Sequence, residues 1–351
     1  MKILIVGNLG YVGPLVESRL RASFPNATLI GYDIGYFAHC LTNASRLPEV
    51  CLDAQHFGDI RNFPKELLEG VDAVVNLAAI SNDPMGNNFE QVTLDINHAA
   101  CVELARKAKA AGVPNFVFLS SCSVYGYAED GARIESSPLD PLTAYARSKV
   151  QSEVDLAPLA GPDFQVTCLR FATACGMSDR IRLDLVLNDF VAGAIAGGKI
   201  SILSDGTPWR PLIHVQDMAR AVEWAIRREA SKGGHCLIVN AGSDGWNYQV
   251  RDLAMAVADA IPGVEVSVNP SAAPDRRSYR VDFTLFKSLA PDFQPQVTLS
   301  AAVKNIETGL REMGFDDPDF RKSHLMRLNT LNRLRETGQL NDQLRWSFAT
   351  R

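Results

Sequence analysis

Tyr145 and Lys149 stand four positions apart, just after Pro141 and at the head of a helical run. On a helix that spacing sets both side chains on one face, one turn apart. A phenol with its ordinary pKa near ~10 is a poor base at neutral pH, but a lysine ammonium beside it would stabilise the phenolate. The pair could take a proton from an alcohol or return one to a carbonyl. The Y-x-x-x-K spacing is common by chance, so its meaning depends on what accompanies it. Upstream lies Ser120-Ser121-Cys122-Ser123-Val124-Tyr125-Gly126, directly after the strand-like run Phe116–Leu119. A hydroxyl at such a strand end, Ser121, is placed to face a tyrosine on the next helix.

A second constellation sits at the N-terminus. Gly7, Gly10 and Gly13 form G-x-x-G-x-x-G between the apolar run Ile3–Val6 and the start of a helix. A glycine-rich strand-to-helix turn lets the backbone approach a pyrophosphate and points helix N-terminal amides at it. Asp33 ends the next strand-like run, about 20 residues past the third glycine, where an acid binds the adenosine ribose hydroxyls. A carboxylate there repels a 2′-phosphate, and Ile34-Gly35-Tyr36 offers no arginine to receive one, so the pattern favours NAD over NADP. Asp59 and Ile60 fall where a third-strand loop could touch adenine. An oxidised nicotinamide would add a further positive charge near the Tyr145 phenol.

These residues need a scaffold. Strand-like runs at Ile3–Val6, Thr28–Tyr32, Ala73–Leu77, Phe116–Leu119 and Val166–Leu169 alternate with helical segments at Gly13–Ser23 and Asn88–Ala111. That alternation implies a parallel sheet wound with helices, an α/β class. Beyond about residue 170 a helix is expected over Ile181–Gly198, an extended piece at Trp209–His214, a helix at Val215–Glu229 and a strand at Cys236–Val239. The chain is read as leaving the sheet, building a smaller lobe and returning once. The charged, leucine-punctuated tail (Leu325, Leu328, Leu331, Leu334) is expected to form helices on the lobe or on a second subunit.

Composition narrows the function classes. With 351 residues, 46% hydrophobic and 21% charged, the chain can bury a full core and a second lobe. A net charge of −5 weighs against nucleic-acid binding through a basic surface. The N-terminal apolar run is too short for a secretory signal, and no stretch approaches the ~20 residues of a membrane span. Seven cysteines without C-x-x-C point to reduced thiols in the cytoplasm, and six histidines without ligand spacing give no metal site.

The glycine turn, Asn76-Leu77-Ala78-Ala79, the Ser-Ser-x-x-Val-Tyr-Gly segment and Tyr145-Ala-Arg-Ser-Lys149, in that order, resemble the extended short-chain dehydrogenase/reductases. Within them the chain is similar to the NAD-dependent nucleotide-sugar epimerase/dehydratase branch, over roughly residues 1–315. The resemblance implies a Rossmann-type doubly wound parallel sheet with a smaller C-terminal α/β substrate-binding lobe. It divides the chain into a NAD-binding part (1–170, with 212–243 returning), a lobe (171–211 and 244–315) and a helical extension (316–351).

It also implies roles. Ser121 would bond the reacting hydroxyl or carbonyl, Tyr145 would be the general acid/base, and Lys149 would bind the nicotinamide ribose and lower the tyrosine pKa. Tyr11 and Val12 in the turn, Leu77, Ala78 and Ala79 at a strand end, and Asn97 on the following helix would join the cofactor set. Ser81, Asn82, Ser123, Asn188, Arg210 and Arg277 would meet a nucleotide-diphosphate sugar, the arginines as forks on its diphosphate. In dehydrating relatives an Asp and a Glu follow the catalytic Ser/Thr; here Cys122 and Ser123 stand there. An epimerase acting through a 4-keto sugar is therefore expected over a 4,6-dehydratase, with Cys122 as a buried structural thiol and a thiol acid/base for the epimerisation as the alternative. A nucleotide-sugar 4-ketoreductase or dehydrogenase, or a non-catalytic dinucleotide sensor, are the alternatives. A homodimer packed through helices near 88–111 and 143–160 is also implied.

Overall fold

The computed structural model describes residues 1–128, 131–269 and 277–347. Positions 348–351 of the expected tail, and 270–276 of the expected lobe, lie outside the described residues.

Seven parallel strands form the central sheet: β1 (Lys2–Val6), β2 (Thr28–Asp33), β3 (Ala54–Phe57), β4 (Ala73–Asn76), β5 (Asn115–Ser121), β6 (Gln165–Phe171) and β7 (Cys236–Ala241). Their order is β7-β6-β5-β4-β1-β2-β3. The chain winds outward one way from β1 and the other way from β4, so a crevice opens at the carboxyl ends of these two neighbours. β6 is buried at every position and β4 likewise, as strands covered by helices on both faces must be.

Helix Gly13–Ser23 begins where the glycine turn ends, with Pro14 at its first turn. The expected helix over 88–111 is a continuous run from Glu90 to Ala110 containing a π-helical turn at Asp95–Ala100. Helix Ala144–Leu156 is capped by Thr143, whose hydroxyl accepts from the Ala146 amide at 3.2 Å. The lobe carries a three-stranded sheet (Thr173–Cys175, Trp209–His214, Asn247–Gln249) and a two-stranded one (Lys199–Ile202, Glu265–Val268).

Two expectations change. Only Val186–Gly197 of the expected helix 181–198 is helical. The Ile181 amide donates to the Thr42 hydroxyl and the Leu183 amide to the Leu325 carbonyl, so backbone groups a helix would use internally are claimed by other parts of the chain. The tail, expected as helices on the lobe or a partner, forms a single described α-helix, Arg327–Glu336; its first part meets the lobe helix, where Arg321 pairs with Asp189 at 2.7 Å, and the remainder lies back on the sheet domain. Leu331, Leu334, Leu340 and Leu344 enter the core layer that holds Leu4, Val6, Tyr32 and Phe63.

Helix Ala144–Leu156 is locked to the sheet by a buried bidentate ion pair. Arg170 on β6 donates to Glu153 through Nε (3.0 Å) and Nη2 (2.7 Å), and Ser120 on β5 donates to the same carboxylate at 2.5 Å. Arg170 Nη1 donates onward to the Tyr125 hydroxyl at 2.9 Å. Removing one member of such a pair leaves a buried charge uncompensated, typically costing about 3–5 kcal/mol. Urea unfolding of Glu153→Ala should show a loss of that size, partly restored when Arg170→Met is added; a single-variant loss under about 1 kcal/mol would remove the pair as the clamp.

Candidate active site

A cavity of about 960 Å³ runs across the carboxyl ends of β1 and β4, from the glycine turn to the lobe. At one end, Gly7 adopts φ +85° and donates its amide to Tyr32. A Cβ on Gly7 would sit 2.4 Å from the Ala78 amide, and one on Gly13 would sit 1.7 Å from the Asn8 carbonyl. Both glycines are demanded by close approach within the protein itself. Gly10 differs: it lines the cavity and its Cβ would meet only the Gly7 carbonyl, at 3.5 Å. Its bare backbone opens a cradle toward a ligand. Asp33 lies on the wall nearby, accepting from the Leu9 amide at 3.0 Å and the Gly35 amide at 2.6 Å. Burial raises its pKa and those two amides draw it back down. A cradle of bare backbone with a carboxylate beside it fits a dinucleotide.

Tyr11, Val12, Asp59, Ile60, Leu77, Ala78 and Ala79 also line this end. Gly13 lies beneath the turn rather than on the wall. Asn97, placed with the cofactor set by sequence, is fully buried behind the wall. Its side chain accepts from the Ile80 amide (2.8 Å) and donates to the Ile80 carbonyl (3.0 Å) and the Ser148 hydroxyl (3.1 Å). It positions the loop after β4 instead of touching a ligand.

At the middle of the cavity Ser121, Tyr145 and Lys149 converge. The Lys149 Nζ donates to the Leu119 carbonyl at 2.7 Å and stands 5.5 Å from the centre of the Tyr145 ring. Burial lowers the lysine to about 8. Burial also pushes the Tyr145 phenol up to about 12, against a smaller opposing pull from its hydrogen bond with Ser121. In the protein alone, then, desolvation outweighs the depression expected from Lys149. The Cys122 thiol is wholly buried and donates to the Arg170 carbonyl at 3.1 Å, and burial pushes its pKa upward. Ser123 is on the wall, its hydroxyl without a hydrogen-bond partner among the described residues.

The lobe end holds Ser81, Asn82, Arg210 and Arg277 on the wall as expected of a second-ligand site. Arg277 pairs with Asp83 at 2.9 Å, and Asp83 also accepts from Thr143 at 2.8 Å. Arg210 donates to the Trp209 carbonyl at 2.9 Å. Asn188 does not reach the wall. It is fully buried, its oxygen accepting from the Gly176 amide (3.0 Å) and its nitrogen donating to the Tyr11 hydroxyl (3.1 Å) and the Arg182 carbonyl (2.9 Å). With both amide atoms used inside the protein, Asn188 fastens the lobe helix to the glycine turn.

Sequence reading passed over Arg182 and Asp184. They form an ion pair of 2.6 Å on the wall, with Arg182 also donating to Ser81 and Asn82 donating to Asp184, both at 2.7 Å. Both precede the helix Val186–Gly197, in a stretch where a helix is expected from sequence and irregular backbone turns them to the cavity. Tyr279 and the tail residues Met326 and Arg327 line the cavity as well.

The model of the NAD dependent epimerase/dehydratase family matches residues 3–242. A dTDP-glucose 4,6-dehydratase of Streptomyces griseus is 30% identical over 233 residues, 65% of this chain and 68% of the relative. A UDP-glucose 4-epimerase of Mycolicibacterium smegmatis is 27% identical over 321 residues, 88% of this chain and 98% of the relative. Among solved structures, a UDP-glucose 4-epimerase from Stenotrophomonas maltophila with bound NAD and formylated UDP-arabinopyranose superposes with a TM-score of 0.78 at 22% identity, covering 90% of this chain and 99% of that one. The glycine cradle, Asp33, the Ser121, Tyr145 and Lys149 set and the match over two thirds of the length agree: the chain belongs to the NAD dependent epimerase/dehydratase family of extended short-chain dehydrogenase/reductases.

Proposed function

We propose that this enzyme is a nucleotide-sugar epimerase that inverts a ring carbon, C4 of the sugar, through a 4-keto intermediate. The observation that carries the reading is the chemistry around Tyr145. Where dehydrating relatives place an acid and a base to eliminate water, this chain has a buried thiol, Cys122, turned toward a backbone carbonyl, and a hydroxyl, Ser123. Two cavity carboxylates close to the reacting end, Asp83 and Asp184, are held in ion pairs with Arg277 and Arg182.

In this reading the Tyr145 Oη takes the proton of the sugar hydroxyl and later returns it. The Ser121 Oγ holds the same oxygen as its bond order changes, and the Lys149 ammonium offsets the phenolate charge. NAD held along the glycine turn and Asp33 would supply the hydride acceptor and donor. Arg210 and Arg277 hold the diphosphate at the lobe end, leaving the sugar room to turn over between the two hydride steps. The seven free cysteines suit a reducing, cytosolic setting. A homodimer packed through helices 90–110 and 144–156 completes the proposal, where Val154 stands 64% exposed.

Incubation with UDP-, GDP-, CDP- and dTDP-sugars should exchange one epimer pair without net change in NADH; sustained NADH consumption with a 4-keto sugar would instead identify a reductase. Tyr145→Phe should lower turnover by about 100-fold or more while NAD stays bound. Unchanged turnover would take the phenol out of the mechanism. Cys122→Ala should cost about 1 kcal/mol of stability and leave turnover within about threefold, since the thiol only fills space and bonds a carbonyl. A collapse of activity in a folded Cys122→Ala protein would mean the thiol does chemistry.

A further inference from the structure

Three buried arginines gather where the tail meets segment 176–185. Arg180 pairs with Glu49 at 2.5 Å and Arg182 with Asp184 at 2.6 Å. Arg327 has no such carboxylate among the described residues. It is 1% exposed, and its Nη2 donates to the carbonyls of Arg180 (2.6 Å) and Ile181 (3.2 Å). Its Nη1 has no hydrogen-bond partner among the described residues. The guanidinium lies 4.9 Å over the Phe37 ring, and both residues line the cavity.

A buried guanidinium with an idle N–H is costly unless an anion meets it. Burial, with Arg182 and Arg180 among its neighbours, already draws the Arg327 pKa down to about 10, while Asp184 and Cys40 act the other way. Its place along the cavity narrows the anion. On one side are Tyr36 and Phe37, just past the ribose acid Asp33; on the other are Arg182 and Tyr11 of the glycine turn. Between the adenosine end and Tyr145, the stretch of a dinucleotide that must pass is its diphosphate.

We propose that Arg327, supplied by the C-terminal segment, is a binding residue for the diphosphate of the dinucleotide. The proposal rests on the dinucleotide reading of the glycine turn, and it places part of that site outside the residues matched by the family. The segment is anchored for the task. Farther on, Arg345 pairs with Asp59 at 3.3 Å, the Trp346 indole donates to the Ile34 carbonyl at 2.8 Å, and the Tyr36 hydroxyl donates to the Leu344 carbonyl. The tail thus straps the adenosine end while its first helical residue offers its idle Nη1 to the phosphates.

A sugar nucleotide carries the same diphosphate chemistry, so the test separates the two sources. The full chain, freed of bound dinucleotide, is titrated calorimetrically with NAD, ADP, adenosine and UDP. Arg327→Gln should weaken NAD and ADP by tenfold or more and leave adenosine and UDP within twofold; Arg327→Lys should fall between. Thermal melts check folding, and if Arg327→Gln does not fold, a loss of threefold or more for NAD and ADP in Arg327→Lys carries the test. Unchanged NAD and ADP binding overturns the proposal. So does an equal loss for adenosine, which marks a structural role, or a loss for UDP alone, which assigns the arginine to the sugar nucleotide. An unaltered chain that binds no NAD overturns the dinucleotide reading and this inference with it.

Discussion

The site depends first on the Glu153–Arg170 pair. Taken alone, two charges moved out of water gain little net stability, because desolvation offsets most of their attraction. Here the pair also has geometry to spend: a fork against a carboxylate, with Ser120 and the Tyr125 hydroxyl taking up further polar valence. Each participant comes from a different element. Glu153 is one turn beyond Lys149 on its helix, Ser120 precedes Ser121 at the end of β5, and Arg170 is on β6 between them and the lobe. The distance from Ser121 to Tyr145 is therefore set by a directional buried contact rather than by apolar packing, which tolerates sliding. The Cys122 thiol closes the same cluster by donating to the Arg170 carbonyl.

A second link joins the two halves of the cavity. The Tyr11 hydroxyl donates to the Gly176 carbonyl at 2.6 Å and accepts from Asn188, so the glycine turn is tied to the first turns of the lobe helix Val186–Gly197. Ser178 adds a bond to the Tyr11 carbonyl at 2.7 Å. Through these fully buried contacts, the position of the substrate lobe is referenced to the cofactor backbone.

What could be read from sequence was local in origin. Gly7 and Gly13 announce themselves by their spacing between a strand and a helix, although only Gly13 is demanded by a sequence neighbour, Asn8, whereas Gly7 is demanded by Ala78 at the end of β4. The Tyr145–Lys149 face follows from helix geometry, and the strands from short apolar runs between turns. What could not be read is tertiary. Asn188 has the composition of a ligand residue, yet its amide is consumed by Tyr11, Gly176 and Arg182, which sequence spacing does not bring together. Arg182 and Asp184 share a stretch whose helical periodicity is overruled by bonds to Thr42 and Leu325. The tail leucines were legible as apolar, but not the layer they join.

The same burial acts in opposite directions on Tyr145 and Lys149. It disfavours the phenolate of Tyr145, pushing the phenol to about 12, and disfavours the ammonium of Lys149, drawing it to about 8. At neutral pH the pair still rests as neutral phenol and ammonium, but with each group's charged form less favoured than in water. In so apolar a setting any added positive charge at the cavity centre acts on the phenol through little screening, and its effect is far larger than at the surface. The phenolate is thus scarcely populated in the protein alone, and a positive charge brought beside the phenol would raise its population. Ser121, hydrogen-bonded to the phenol, favours the charged form in the same sense, but by less than burial opposes it.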